Sequence, residues 1–436
     1  MNNNGATALF YACAFGQTNA VQSLLKANAQ ATDVSAKGVT ATHEAALSGN
    51  VAILEMLLAA GAPLDLAAHE DLWTPLCNAI QFQRDDAVQI LLEAGADANK
   101  RLQGDRTPLM IAALNGTATT VKALLAHGAD AKAQDESKTD PIHYAAARGD
   151  AEIIAAIMSG GAAPNSRDSN GATALHLIAS TGKSEAAAVL LRHGANPNLG
   201  TYSQRYSPLM VASAVGNSGV VSLLAENGAE VDAMGSDRAT AVQMAAIGGH
   251  CDTLKRLLNA GANPISVDTR GFTTLHAAIQ SGEKACVSAL LDAGMHPDAR
   301  ANGLLPLTFA GIHEELDIMK LLIASGASFN NRDDDGWTPL HHLTGLGKVA
   351  SVEVLVEAGA DVNAVTDDGY SVVSVAQSNE HLEVLPLLAK AGASLSELEA
   401  AASWFSTLTG ARLLSERSFQ WMESLRTAKL VAPDRW

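Results

Sequence analysis

The sequence repeats with a period of about 33 residues, and this period constrains the fold more than any other feature. A Gly-Ala pair after a Leu-Leu-like pair recurs ten times, beginning at Gly61, and degenerate copies stand at Asn28-Ala29 and Gly294-Met295. The twelve copies are 32 to 34 residues apart. A unit this short cannot bury an apolar face alone, so neighbouring units must stack. The period therefore predicts a repeat array that covers most of the chain.

A Thr-Pro-Leu-His-like tetrad provides a second landmark in each unit, and Thr338-Pro339-Leu340-His341 is its clearest copy. The Thr hydroxyl caps free amides at a helix start, and proline suits the first helical position. A glycine nine residues after the Thr predicts the left-handed turn that ends this helix. A second helix with apolar residues at i, i+3 and i+4 follows, and the Gly-Ala pair closes it. The turn glycines are Gly16, Gly49, Gly116, Gly182, Gly216, Gly249, Gly282 and Gly347.

This unit, with about ten polar residues leading to the next Thr, resembles the ankyrin repeat over about residues 3–395. The resemblance implies an all-α repeat solenoid of helix–turn–helix units joined by β-hairpin-like fingers. It also implies a concave groove, lined by fingers and first helices, that usually binds another protein. We expect an ankyrin-repeat solenoid of about twelve repeats over residues 1–395, followed by a C-terminal helical extension or cap over residues 396–436.

Several units depart from the pattern. The fingers entering repeats 3 and 7 are one residue longer than the others, and the finger entering repeat 10 is one residue shorter. Gln83, Glu314 and Glu380 replace the turn glycine in three repeats. Pro386 falls inside the second helix of repeat 12. A proline there removes an internal hydrogen bond, so this helix should be shortened or kinked.

Charge excludes some classes of partner. Lys and Arg number 29 against 46 Asp and Glu, a net charge of −17. Such a chain has no general attraction for nucleic acid or for an anionic membrane surface. No apolar run approaches the roughly 18 residues of a membrane span, and no secretory signal is visible. The sequence predicts a cytoplasmic protein, with a nuclear or other intracellular location as alternatives, that is a monomer unless it is part of a complex.

The four cysteines, Cys13, Cys77, Cys251 and Cys286, are scattered and form no C-x-x-C pair. This pattern argues against a disulfide framework and against a structural zinc site. We expect thiols in helix cores and a reducing compartment.

Groove-facing residues, if the family geometry holds, precede the capping Thr or lie seven or eight residues beyond it. Aromatic side chains fill the first of these positions in five repeats. Large aromatics often anchor protein interfaces, but such rings can also simply cover the neighbouring finger. The candidate partner-binding residues are Phe15, Trp73, Phe82, Arg106, Arg148, Tyr206, Phe272, His313, Trp337 and Tyr370.

Charge also varies along the fingers. Residues 99–106 carry a local charge of +2 and the repeat 7 finger carries +1, whereas residues 332–335 carry −2 and Asp367-Asp368 add −2. Such a gradient would orient a partner segment of opposite pattern. The alternative is ordinary solvated loop charge.

No group of residues carries recognisable chemistry. Gly182-Lys183-Ser184 lacks the upstream glycine of a phosphate loop. Asn331, Asp333 and Asp335 mimic a calcium loop, but His342 replaces the bidentate Glu. The five tetrad histidines should hydrogen-bond adjacent backbone. We therefore predict no catalytic residue, no metal ligand, no cofactor and no enzymatic activity.

The tail after repeat 12 begins with a capping box, Ser396-Glu397-Leu398-Glu399, and contains Trp404 and Trp421. It is either a helical cap on repeat 12 or a docking element for a second partner. The function that the sequence favours is a non-enzymatic scaffold or adaptor that binds a protein through the groove. The alternative is a structural or spacer subunit of a larger assembly that docks through its convex face or its C-terminal helices.

Overall fold

The computed structural model describes residues 5–68 and 72–394, and the predicted cap with Trp404 and Trp421 lies outside these ranges. The described chain forms twelve pairs of short helices, as the repeat pattern predicts. The helices are α1 (Ala8–Ala14), α2 (Thr18–Lys26), α3 (Ala41–Ser48), α4 (Val51–Ala59), α5 (Pro75–Gln81), α6 (Asp85–Glu93), α7 (Pro108–Asn115), α8 (Ala118–Ala126), α9 (Pro141–Arg148), α10 (Ala151–Ser159), α11 (Ala174–Thr181), α12 (Ser184–Arg192), α13 (Pro208–Ala214), α14 (Ser218–Glu226), α15 (Ala241–Ile247), α16 (Cys251–Asn259), α17 (Thr274–Gln280), α18 (Lys284–Asp292), α19 (Pro306–Ile312), α20 (Leu316–Ala324), α21 (Pro339–Gly345), α22 (Val349–Glu357), α23 (Val372–Ser378) and α24 (Leu385–Lys390). Odd-numbered helices are the first helices of the repeats and even-numbered helices are the second.

The tetrad starts each first helix in the way that its chemistry predicts. The backbone N–H of His43 donates to the Thr40 hydroxyl over 3.3 Å, and the Thr40 N–H donates to Nδ1 of His43 over 3.1 Å. Two amides without a partner in the helix are thereby satisfied. The same reciprocal box starts α11 and α21, and Asp140 replaces the Thr at α9.

The turn between the two helices is left-handed in most repeats, including those without glycine. Gln83, Glu314 and Glu380 have φ of 55°, 60° and 63°. The fold therefore imposes this conformation even where the side chain disfavours it. The prediction is wrong for Gly116, whose φ of −80° and ψ of −166° are extended. There Thr117 caps α8 instead, because its hydroxyl accepts the Thr120 N–H over 3.0 Å.

The fingers are tight turns in which the described residues form isolated β-bridges but no longer strand. A typical finger is closed by a backbone hydrogen bond between residues four apart, as from Asp135 to Thr139 over 3.0 Å. The longer fingers of repeats 3 and 7 close between residues five apart, and the shorter finger of repeat 10 between residues three apart. The bonds run from Ala68 to Trp73, from Thr201 to Tyr206 and from Ala301 to Leu304. Length differences are therefore absorbed at the finger tips.

Asparagines tie successive repeats together beneath the fingers. The Asn99 amide donates to the Gly128 carbonyl over 2.8 Å, and its oxygen accepts the Asp130 N–H over 2.8 Å. Asn198 makes the same two contacts with Gly228 and Glu230. Each of these side chains satisfies backbone groups that the end of a helix leaves unpaired.

The chain divides into two compact units, Met1–Asp237 and Arg238–Trp436. In unit 1, which holds repeats 1–7, each first helix packs on the next from α1 to α13, and the second helices form a parallel row. In unit 2, which holds repeats 8–12, α15 to α23 pack in the same way. Fully buried alanines such as Ala45, Ala112 and Ala245 allow the helices to approach closely.

Repeat 12 confirms the effect predicted for Pro386. Its second helix begins with a 3₁₀ turn over Leu382–Val384, and α24 then has only six residues, with the proline in its first turn. The ring is placed where no helical amide is lost.

The cysteine prediction is wrong for one pair, because Cys251 and Cys286 form a disulfide. Cys251 is the first residue of α16 and Cys286 is the third residue of α18, and these neighbouring second helices pack together. The separation of 35 residues is close to one repeat, so the two side chains meet where α16 packs on α18. Their Cα atoms are 4.8 Å apart. Cys13 and Cys77 are buried free thiols.

None of the helices within the described ranges has the length and apolar character needed to cross a membrane.

Candidate functional site

First helices and fingers share one continuous surface within each unit, which we call the inner face. In repeat 5 the Tyr144 hydroxyl on α9 donates to Oδ2 of Asp135 in the finger over 2.7 Å. Burial and this bond raise the pKa of Tyr144 to about 12, which keeps the hydroxyl a donor. His342 and Asp333 occupy the equivalent positions in repeat 11, with 2.7 Å between Nε2 and Oδ2.

Exposed large apolar side chains are confined to this inner face and the finger tips. Among the described residues fourteen such side chains are exposed, and none of them lies on a second helix. Exposed apolar side chains that are restricted to one side of the repeats are a signal of a binding surface. The fourteen are Tyr11, Phe15, Val34, Leu66, Leu72, Phe82, Leu114, Tyr202, Val215, Met234, Ile265, Val267, Val365 and Tyr370.

Three of the predicted aromatic contact residues are well exposed. Phe15 is 72% exposed, Phe82 48% and Tyr370 50%. Phe15 and Phe82 each lie eight residues beyond a helix cap, as the sequence pattern predicts. The Phe15 ring also stacks on Tyr11, with 6.4 Å between ring centroids, so repeat 1 presents two rings together.

Three other predicted aromatics are half-buried and contact their own or a neighbouring repeat. The Tyr206 hydroxyl donates to Oδ2 of Asp237 over 2.7 Å. The Trp337 ring lies 5.3 Å from the ring of His342. Trp73 gives its backbone carbonyl to Nε2 of His43, over 3.0 Å. All three residues are partly exposed.

Phe272 is a packing residue. Only 8% of it is exposed, and its ring lies 5.6 Å from Phe309 and 6.1 Å from His276 in edge-to-face contacts. At this position the ring therefore covers its neighbours, which is the alternative role that the sequence analysis gave to aromatics before the capping Thr.

The three predicted polar contact residues differ in the contacts that they already make within the protein. Nη1 of Arg148 donates to the carbonyls of Leu114 and Gly116 over 3.2 and 2.7 Å, so it caps the end of α7. Nε of Arg106 donates to the Gln103 carbonyl over 3.3 Å. His313 is exposed, with its ring 4.6 Å from Phe309, and partial burial lowers its pKa.

Some inner-face residues were missed by the sequence analysis. Tyr202 is 59% exposed at the tip of the longer repeat 7 finger, and the Arg167 guanidinium lies 5.2 Å from its ring centroid. The extra residue in that finger was the available signal. Ile265 is 68% exposed and Met234 56%, but nothing in the repeat pattern distinguishes these tip positions.

Three of the five tetrad histidines, His43, His143 and His176, hydrogen-bond the backbone of the next finger through Nε2, as predicted, whereas Nε2 of His276 and of His341 is buried without a hydrogen-bond partner among the described residues. Nε2 of His176 bonds to the Tyr206 carbonyl over 2.9 Å, and Nε2 of His143 bonds to the Ala172 carbonyl over 3.1 Å. Burial lowers the pKa of His276 and of His341 to about 4. These rings are structural groups of the repeats.

In the calcium-like sequence of repeat 11, the Asp333 carboxylate is hydrogen-bonded within its own repeat. Oδ1 of Asp333 accepts the N–H groups of Asp335 and Trp337. Burial raises the pKa of Asp333, but the His342 contact and the Trp337 N–H outweigh it, so the pKa lies below its ordinary value. Across residues 5–68 and 72–394 no three His, Cys, Asp or Glu side chains are grouped so as to hold a metal ion.

The sequence models of known families agree with this architecture. A model described as ankyrin repeats in three copies matches residues 1–68, 63–135, 142–235, 232–301 and 307–398. A second, described as ankyrin repeats in many copies, matches residues 118–157.

Two curated proteins share part of the array. The 2-5A-dependent ribonuclease of Homo sapiens is 40% identical over 68 residues, which are 16% of this chain and 9% of that protein. The 2-5A-dependent ribonuclease of Mus musculus is 42% identical over 73 residues, 16% of this chain and 10% of that protein. The match therefore spans about a tenth of these relatives and about two repeat lengths. The family matches, which cover most of the chain, show that it belongs to the ankyrin-repeat family.

Proposed function

We propose that this chain is a non-enzymatic adaptor that holds a partner protein on the inner face of unit 1. The observation that carries the proposal is the placement of exposed apolar side chains. Phe15, Phe82 and Val215 are all eight residues beyond a helix cap and are 72%, 48% and 47% exposed, while the described second helices expose no large apolar side chain.

The energetic argument concerns what these side chains gain on binding. Burying a large apolar side chain stabilises a complex by roughly 1.5–3 kcal/mol. The rings of Phe15 and Tyr11 already stack and so lose little freedom when a partner covers them. A partner segment that spans repeats 1 to 7 would bury several such anchors in one row. The family to which the chain belongs is one whose repeats generally mediate protein–protein interaction.

Site-specific crosslinking tests the proposal. A photo-crosslinking phenylalanine analogue would replace Phe15 or Phe82 in the full chain expressed in its native cells. As matched controls, the analogue would replace Gln22 or Gln89, which are exposed on the second helices of the same repeats. We expect one protein partner to be captured at Phe15 and Phe82 and not at the two glutamines.

The reverse pattern would overturn the proposal. Capture at Gln22 and Gln89 alone would support the alternative, a structural subunit that docks through the face opposite the fingers. Double substitution of Phe15→Ala and Phe82→Ala provides an independent check. It should abolish co-purification of the partner while thermal unfolding changes little, because both rings are largely solvated.

A further inference from the structure

Most finger arginines of unit 2 pair with a carboxylate, whereas among the described residues no finger arginine of unit 1 does so. Four unit 1 arginines, Arg101, Arg106, Arg167 and Arg205, lie on the fingers of repeats 4, 6 and 7, and we call them the arginine strip. Nη1 of Arg101 donates to the carbonyls of Asp105 and Gln134 over 2.6 and 2.7 Å. Nη2 of Arg167 donates to the Gly200 carbonyl over 2.9 Å. With the bond from Arg106 to the Gln103 carbonyl, these are backbone contacts that neutralise no charge.

Within the described ranges no carboxylate lies within 4.0 Å of a strip guanidinium, and Arg205 is exposed. In unit 2 three of the four described finger arginines meet a carboxylate, and the exception is Arg238 in the repeat 8 finger. Arg270 pairs with Asp268 at 2.8 Å, Arg332 with Asp367 at 3.4 Å and Arg300 with Asp334 at 3.9 Å.

Two finger carboxylates of unit 1, those of Asp135 and Asp168, are engaged by their own repeats. Oδ1 of Asp135 accepts the N–H groups of Ser137 and Thr139, and its Oδ2 accepts the Tyr144 hydroxyl. Oδ1 of Asp168 accepts the N–H groups of Asn170 and Ala172. A guanidinium has five N–H donors, and each strip arginine uses one nitrogen at most. The strip therefore keeps charge and donors for an external group, in a chain whose net charge is −17.

Apolar surface runs beside the strip. Leu114 on α7 is 37% exposed, Val215 directly after α13 is 47% exposed, and Tyr202 stacks under Arg167. The first helices between them add no acidic side chain, since α9 and α11 carry no Asp or Glu. A ligand for this surface must combine apolar groups with negative charge.

We propose that the arginine strip binds an acidic, partly apolar protein segment in extended conformation, an inference that rests on the proposed function. Planar guanidinium groups match carboxylates in two-pronged geometry. Stacked repeats are about 10 Å apart, and an extended chain advances about 3.3 Å per residue. Carboxylates three, six or nine residues apart therefore reach fingers that are one, two or three repeats apart, as those of repeats 4, 6 and 7 are, while apolar side chains between them reach Leu114 and Val215.

Selection and affinity measurements test this inference. A phage-displayed library of random 16-residue peptides would be selected on the full chain, and the enriched peptides measured by fluorescence anisotropy. We expect enrichment of Asp and Glu at multiples of about three residues. The triple variant Arg101→Gln, Arg167→Gln, Arg205→Gln should weaken binding about tenfold or more, and raised salt should weaken wild-type binding.

Arg192→Gln is the matched control, because Arg192 is exposed on α12 in the same unit and also bonds only a backbone carbonyl. Circular dichroism should show the triple variant folded. Peptides without acidic residues, or equal loss with Arg192→Gln, would overturn the inference. So would tighter binding of a 15-nucleotide single-stranded RNA that depends on the same arginines, since the ligand class would then be a phosphate backbone. A further outcome is partner capture at Phe15 and Phe82 that persists in the triple variant with unchanged affinity. That result would support the adaptor function and would contradict the binding of an acidic segment.

Discussion

Asp140 and His143 form a buried ion pair in repeat 5, with 2.7 Å between Oδ1 and Nδ1 and 2% and 1% of the two side chains exposed. Nε2 of His143 meets the Ala172 carbonyl, and Nδ1 faces both the Asp140 carboxylate and, over 3.4 Å, the Asp140 N–H. In repeat 6 the Thr173 N–H donates to Nδ1 of His176 over 3.1 Å, so that ring accepts at one nitrogen and donates at the other. The Asp140 carboxylate therefore favours protonation of the ring in repeat 5, whereas the cap of repeat 6 is the uncharged Thr173.

The first prediction concerns this pair. Burial lowers the pKa of His143, but Asp140 outweighs it and the pKa is raised. A raised folded-state pKa stabilises the fold below the unfolded value of about 6.5, and this stability is lost as the pH rises through the folded value. Asp140→Thr should recreate the arrangement of Thr173 and His176 and move the His143 pKa below 6.5. NMR titration of the His143 ring checks this, with His176 as internal control, and an unchanged pKa would contradict it.

The second prediction concerns acid sensitivity in unit 2. His276 and His341 have folded pKa values of about 4, so their contribution to stability is complete above pH 6.5 and falls as the pH drops towards 4. Each should cost roughly 3 kcal/mol at pH 4. Gln243 holds the same position in repeat 8 and donates to the Phe272 carbonyl over 2.9 Å without titrating.

His276→Gln and His341→Gln should therefore reduce the loss of thermal stability between pH 7 and pH 4.5. Circular dichroism melts at the two pH values provide the comparison. A pH dependence equal to that of the wild type would show that other groups dominate acid unfolding.

The third prediction concerns the disulfide. Loop closure between Cys251 and Cys286 should stabilise unit 2 by about 2–4 kcal/mol. Reduction should lower its unfolding temperature, and Cys251→Ala with Cys286→Ala should remove any further response to reductant. Thiol titration of the denatured, unreduced protein should find two free thiols, from Cys13 and Cys77, and four after reduction. Four thiols before reduction would refute the bond.

In the folded state the thiols of Cys13 and Cys77 should be inert at pH 8, since burial raises the Cys13 pKa to about 12 and the Cys77 pKa to about 11.

The fourth prediction concerns the aromatic residues that precede the capping Thr, and it distinguishes a ring that packs in the core from one that is exposed for contact with a partner. Phe272→Ala should destabilise unit 2 by about 3 kcal/mol or more, because the ring is buried against Phe309. Tyr370→Ala, at the same repeat position but 50% exposed, should change stability by about 0.5 kcal/mol or less. Thermal denaturation of both variants measures the two changes in stability. Equal effects would mean that burial does not distinguish the two positions.

Repeat chemistry made the helices predictable, because each landmark has a local physical cause. Thr40 caps α3 through its own hydroxyl, and Pro386 shortens the last second helix through its missing N–H. What the sequence could not provide were properties that depend on contacts between repeats. The Cys251–Cys286 bond needs two helix starts to meet, and the only signal was a separation near one repeat.

The same limit applies to the binding surface. Phe272 and Tyr370 are equivalent in the repeat pattern, yet Phe309 from the next repeat buries one of them and leaves the other exposed. The unpaired charge of Arg167 depends on a carbonyl one finger away, at Gly200. Local patterns place these side chains on the inner face, but neighbouring repeats decide their environment.

The fingers of repeats 3, 7 and 10 differ in length, but the helices that flank them keep their packing. For protein engineering, this makes the tip between Thr201 and Tyr206 a graft site. A short affinity tag or a randomised recognition loop inserted there would extend into solvent beside Tyr202 without displacing the helices on either side. Natural change in ligand preference could follow the same route, because residues gained or lost at a tip alter the binding surface and leave the stacked core untouched.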